Sequence, residues 1–247
     1  VTMRYIIIFF ITLSFTFGAI SEELEKSIAE DNVVLVQRIL SEKSYKSKGM
    51  NFIEEILVYA SWNNAKRVAK FCLDKGANPD SEDRYGTSLM HSSSSNSKEV
   101  AELLIEYGAN INFSNGFGMS PLTEAAINNS KDVAELLIKN GVKINDINYY
   151  GNTALIYAVI NNSKDVVKLL IENGADINIS NEESLNALMI AKKNNFLDII
   201  EMLNKKEENT KLSDSSSNQI KANNKVKILE LAKHHNIEKD SENAILI

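Results

Sequence analysis

An α-rich solenoid of stacked, similar helix pairs is the fold this sequence predicts, on three observations. Leu89, Leu122, Leu155 and Leu188 recur at intervals of 33 residues. Gly76, Gly108, Gly141 and Gly174 recur at 32, 33 and 33. The clearest unit, 148–180, reads as a Gly-containing turn, a short helix ending at Asn161-Asn162, a second helix over Asp165–Glu172 stopped by Asn173-Gly174, and an extended Ala-Asp-Ile-Asn close. Self-similarity at this period marks a repeat architecture, in which each unit buries its apolar face against its neighbours.

The first stretch stands apart from the repeats. Met3-Arg4 is minimally basic, Tyr5–Phe17 is apolar except for Thr12, Ser14 and Thr16, and Gly18, Ala19 and Ser21 precede Glu22-Glu23. That order predicts a secretory signal peptide over residues 1–21, since the apolar run falls short of the ~18 residues of a spanning helix. Cleavage after Ser21 places Ala19 and Ser21 at the small-residue positions, with Gly18 and Ala19 as alternative cleavage points. The competing expectation is an uncleaved membrane anchor over residues 4–20. No Cys follows the apolar run, so a lipoprotein-type N-terminus is ruled out.

Residues 22–48 predict an atypical N-terminal capping repeat. Leu24, Ile28, Val36, Ile39 and Leu40 lie at helical spacing in two short helices, Glu22–Glu30 and Val33–Glu42, without the turn and closing motifs. The repeat domain is expected over 49–205. Its first unit has helices over Phe52–Trp62 and Ala65–Leu73, and one residue is missing between Gly76 and Leu89 relative to the later units. Ala60, Ser92, Ala125, Ala158 and Ala191 share one small-residue position against a neighbouring helix. Val100-Leu103-Leu104, Val133-Leu136-Leu137 and Val166-Leu169-Leu170 form the apolar stripe of the second helices. Asn64, Asn96, Asn129 and Asn162 fall between the two helices, where Asn suits a left-handed helix-ending conformation. Lys205–Asn218 lacks apolar periodicity, so 206–219 reads as a linker, and 220–247 as a C-terminal helix or degenerate repeat.

Composition narrows the function. Net charge is −6 and no basic run exceeds two residues in the repeats, which argues against a phosphate-backbone partner. The single cysteine excludes an intramolecular disulfide, and Cys72 falls in the slot of Leu104, Leu137 and Leu170, a buried position. The three histidines, His91, His234 and His235, give no metal-ligand spacing, and His91 shares its slot with Tyr59, Glu124, Tyr157 and Ile190. Gly116-Phe117-Gly118 lacks the third glycine and the strand–turn–helix of a dinucleotide fingerprint. Neither a nucleophile elbow nor a phosphate loop occurs, so no catalytic residue, cofactor, metal or small-molecule substrate is expected. The Asn-x-Ser runs at Asn112, Asn128, Asn161 and Asn178 sit at positions rich in Asn throughout, and are read as incidental.

The motifs at fixed register resemble the ankyrin-repeat family. Its Gly-x-Thr-Pro-Leu opening appears as Gly118-Met119-Ser120-Pro121-Leu122 and Gly151-Asn152-Thr153-Ala154-Leu155, shortened to Gly86-Thr87-Ser88-Leu89 and eroded to Ser184-Leu185-Asn186-Ala187-Leu188. Its Gly-Ala-Asp-x-Asn close appears as Gly108-Ala109-Asn110-Ile111-Asn112, Gly141-Val142-Lys143-Ile144-Asn145 and Gly174-Ala175-Asp176-Ile177-Asn178. The family's histidine after Pro-Leu is replaced by Met90, Thr123, Ile156 and Met189. The resemblance implies five or six stacked repeats with short β-hairpin connections, and a non-enzymatic module that binds a protein on its concave face. Carried over position by position, it places the contact on Trp62, Tyr85, Phe117, Met119, Ile127, Tyr149, Tyr150 and Ile160, with Arg84, Asn128, Asn152, Asn161, Glu182 and Glu183 at the same kinds of position. With the signal peptide, the expectation is an exported binding protein, periplasmic or secreted. Its competitor is a membrane-anchored periplasmic accessory factor that supports an enzyme or envelope complex.

Overall fold

The computed structural model describes residues 22–42, 49–209 and 211. The chain divides into two compact units, Val1–Ile199 and Ile200–Ile247. The expected signal peptide, residues 43–48 of the cap and 212–247 lie outside the described residues.

In the first unit the helices come in pairs: α1 (Glu22–Ala29) with α2 (Val33–Leu40), α3 (Gly49–Trp62) with α4 (Lys66–Asp74), α5 (Ser88–Ser95) with α6 (Lys98–Glu106), α7 (Pro121–Ile127) with α8 (Lys131–Lys139), and α9 (Ala154–Ile160) with α10 (Lys164–Glu172). A further first helix, α11 (Ala187–Lys193), follows. Each first helix touches the next, from α1 through α3, α5, α7 and α9 to α11, and the second helices α2, α4, α6, α8 and α10 form a parallel row. The capping pair is thus stacked like the pairs after it.

The core lies between these rows. Leu24, Val36, Leu57, Val68, Leu89, Val100, Leu104, Leu122, Val133, Leu137, Leu155, Val166 and Leu170 are buried, as is Cys72. The shared small position admits this spacing: Ala60, Ser92, Ala125, Ala158 and Ala191 all have no exposed surface. Within the expected stripe, Leu136 and Leu169 are only half-buried, because they lie at the edge of the face that Leu137 and Leu170 centre.

Helix ends explain much of the remaining sequence. Thr87, Ser120, Thr153 and Asn186 cap the first helices, each side chain accepting the backbone N–H three residues on. The second helices α4, α6, α8 and α10 have no such bond from their own N-cap residue. Their caps come from the preceding unit. Asn64, Asn96 and Asn129 are left-handed, at φ 52°, 55° and 54°, and this turns each side chain toward the next helix pair. Asn64 Oδ1 accepts from Val100 N (3.3 Å), Asn96 Oδ1 from Val133 N (3.2 Å) and Asn129 Oδ1 from Val166 N (3.3 Å). Asp31, also left-handed, does the same for α4 through Arg67 N and Val68 N, at 3.1 and 2.9 Å. The Asn amides then donate to the acidic residues of the capped turn, Glu99, Asp132 and Asp165. Orphan N–H groups at each helix start are thereby satisfied across the unit boundary.

The connections are hairpin turns with little β-structure. Among the described residues the β-pairing is confined to isolated bridges, Glu82–Thr87 and Ser180–Asn186. The first hairpin closes through Asp83 N–H to Gly86 O, whereas the later ones close one residue wider, Asn115 to Met119, Asn148 to Asn152 and Asn181 to Leu185. That difference is the residue missing between Gly76 and Leu89.

In the second unit, residues 200–209 are helical and Leu203 is buried. Helix therefore continues over 206–209, which the sequence analysis assigns to linker. Lys and Glu are good helix formers, and Glu207 pairs with Lys211 at 2.7 Å.

Candidate functional site

Four hairpins, around 82–87, 115–119, 148–152 and 181–185, line one side of the first unit next to the first helices. Each is braced by one side chain that accepts two backbone N–H groups of its own turn. Asp83 Oδ1 takes those of Tyr85 and Gly86, Asn115 those of Phe117 and Met119, Asn148 those of Tyr150 and Asn152, and Asn181 those of Glu183 and Leu185. These acceptors hold the turn closed, so the residues at its tip are carried on a set backbone.

The hairpins also hold one another. Asn115 Nδ2 donates to Tyr85 O at 3.4 Å, Asn181 Nδ2 to Asn152 Oδ1 at 3.0 Å, and Glu182 N–H to Tyr150 O at 3.0 Å. Two glycines permit this close approach. A Cβ on Gly118 (φ 76°) would lie 2.9 Å from Asn148 Cα and from Tyr149 N, and one on Gly151 (φ 71°) 3.1 Å from Asn181 Cα. Ser184 (φ 60°) takes the same conformation in the fourth hairpin with its side chain exposed.

On this frame the residues expected to bind fall into two groups. Phe117, Tyr149 and Tyr150 stand out at the tips with 62%, 70% and 55% of their surface exposed, and Tyr85 and Ile160 with 42% and 44%. Arg84 is exposed and its guanidinium lies 4.6 Å from the Tyr85 ring centroid. Trp62, Met119, Ile127 and Asn152 are partly covered. The Trp62 ring lies 4.9 Å from that of His91, Met119 Sδ takes a contact from Asn148 Nδ2 at 3.7 Å, and Asn152 receives the Asn181 amide. Asn128 and Asn161 donate to the carbonyls of Glu124 and Tyr157, closing the ends of their own helices. Ile147, at 59% exposure, belongs with the tip residues and escaped the sequence reading. Its signal was that Ser114 and Ser180 occupy the same register.

The polar groups behind the tips act as tethers. His91 is buried, and its Nε2 lies 2.9 Å from Asp83 Oδ1. In the fourth helix pair's successor the same link is made by Asn148 Nδ2 and the Tyr157 hydroxyl at 2.7 Å, so both contacts tie a first helix to its own hairpin. Asp83 is pushed up by burial, but the His91 contact and the Tyr85 and Gly86 amides outweigh this and hold it below the usual carboxylate range. Burial raises Glu124, which accepts from Ser94 Oγ at 2.8 Å. Cys72, enclosed by the core, has its thiol pushed up to about 12. Among the described residues no three His, Cys, Asp or Glu side chains gather as a metal site.

Two family models match the chain. The model for ankyrin repeats (3 copies) covers residues 26–115 and 89–181, and that for ankyrin repeats (many copies) covers 160–203. No curated protein matches. The first model reaches back into α1, which agrees with the stacking of the capping pair. Matched over most of its length and folded into stacked helix pairs with hairpin connections, the chain belongs to the ankyrin-repeat family.

Proposed function

We propose that the chain is an exported, non-enzymatic binding module that holds a protein partner on its hairpin ridge. Ankyrin repeats generally mediate protein–protein interaction, and proteins built from them are typically non-enzymatic scaffolds. The finer reading is carried by one observation: Phe117, Tyr149 and Tyr150 are more than half exposed on turns fixed by buried or half-buried Asn side chains. Aromatic rings lose little entropy on binding and dominate interface energetics, and a fixed backbone lowers the ordering cost further. The partner is a protein, with no nucleic acid or small-molecule substrate. Export rests on the Met3–Ser21 pattern, and places the protein in the periplasm or outside the cell.

Crosslinking capture from the cell envelope and medium tests the ridge, comparing wild type with Phe117→Ala/Tyr149→Ala/Tyr150→Ala. A protein captured by the wild type and lost by the variant supports it, while equal capture moves the site elsewhere. N-terminal sequencing of the mature protein tests export. A start near Ser21 or Glu22 is expected, and an intact residue 4–20 segment would favour the anchored form.

A further inference from the structure

The hairpin-side face is not uniform along the stack. At its N-terminal end, Glu54, Glu55, Glu82 and Asp83 gather with Asn51 and Val58 around a recess of about 290 Å³. Glu82 is exposed, and among the described residues neither Glu54 nor Glu82 makes an ion pair with a Lys or Arg. Asp83 keeps its charge, since His91 and two amides favour the carboxylate. Arg84, the cation of this hairpin, is drawn over the Tyr85 ring. The next two hairpins carry Phe117, Tyr149 and Tyr150 and no charge at their tips.

From this division we infer that the ridge takes a polypeptide segment with Lys or Arg side chains at one end and apolar side chains at the other, the basic end lying against Glu54 and Glu82. The inference rests on the binding role proposed above for the ridge. Charge complementarity supplies the orientation, since a partner bound the other way round would bring its cations to uncharged rings and its apolar residues to carboxylates. The apolar end supplies contact area on the three rings. Binding is therefore expected to weaken with salt but not to vanish, because only the charged half is screened.

A display selection of random linear peptides on the full chain tests this. The expected pool has basic residues clustered at one end and aromatic or aliphatic residues at the other. Selected peptides should bind Glu54→Gln/Glu82→Gln about tenfold more weakly, roughly 1.4 kcal/mol, with thermal melting unchanged. A pool enriched only in apolar residues, or one indifferent to the double Gln variant, overturns the charge assignment and leaves the ridge standing. Peptides that bind Tyr149→Ser/Tyr150→Ser as well as wild type overturn the ridge itself, as does a pool without enrichment. The run Lys43, Lys46 and Lys48 precedes Glu54 in the chain. If peptides bind only after those lysines are changed to Gln, the chain's own bases fill the recess and the proposal of a basic partner falls.

Discussion

Replacing Asn129 isolates the cap that passes between units. Its Oδ1 accepts the Val166 N–H at 3.3 Å, its amide donates to Asp165 Oδ2 at 2.8 Å, and its φ is 54°. Asn129→Gly keeps the left-handed backbone and removes both bonds. The lost cap costs about 1 kcal/mol, and the exposed bond to Asp165 adds at most about 0.5 kcal/mol, for a total of about 1–2 kcal/mol. Asn129→Ala removes the same bonds and adds about 1–2 kcal/mol of left-handed strain. Urea unfolding followed by circular dichroism should therefore rank wild type above Gly above Ala. Hydrogen exchange localises the effect: Val166 N–H should lose protection in Asn129→Gly while Val133 N–H, capped by Asn96, should not. If Asn129→Gly matched wild type, or fell below Ala, the side chain would not be a cap and the account of these asparagines would be wrong.

Other perturbations separate surface from core. Tyr149→Ser/Tyr150→Ser should abolish partner capture and leave the melting curve near wild type, whereas Leu137→Ala, fully buried, should destabilise by about 2–5 kcal/mol. Gly118→Ala should cost more than Gly141→Ala in the same unfolding assay: both have positive φ, but only Gly118 has backbone 2.9 Å from its would-be Cβ, while Gly141 has open space. Glu124→Gln should raise the melting temperature at neutral pH. Burial raises the folded carboxyl above its ordinary 4.5, so the ionised form weakens the fold, and the advantage of Gln should vanish below pH 4.5. Cys72 should resist alkylation at pH 8 until urea opens the core, since burial pushes its thiol up to about 12; rapid native labelling would contradict its packing.

The stride of leucines and glycines made the fold legible, because repetition at one register survives the erosion of any single motif. The left-handed asparagines were legible as helix ends for the same reason. Their second role was not. A cap supplied from the preceding unit depends on a spatial neighbour some 36 residues away, and nothing local distinguishes it from a helix stop. His91 was legible as a packing residue from the Tyr and Ile in its slot, but the tether to Asp83 needed the hairpin's fold to bring the two together. Among the binding residues, the rings at turn tips could be placed by position alone. Trp62, Met119 and Asn152 could not, since their cover comes from His91, Asn148 and Asn181, each in another element or unit. The helix over 206–209 was masked by its charged composition, which lacks apolar periodicity yet suits a helix held by i,i+4 pairs.

The caps contributed by Asp31, Asn64, Asn96 and Asn129 all point the same way along the chain, from an earlier pair to a later one. The array therefore has a polarity that its near-identical units would not suggest. Loss of a pair at the N-terminal edge strips the next second helix of its N-terminal partner, whereas loss at the C-terminal edge leaves every remaining helix start satisfied. During synthesis the earlier pair is made first, so each second helix emerges to find its cap already in place, and assembly in the order of translation is the order in which no helix waits for a partner.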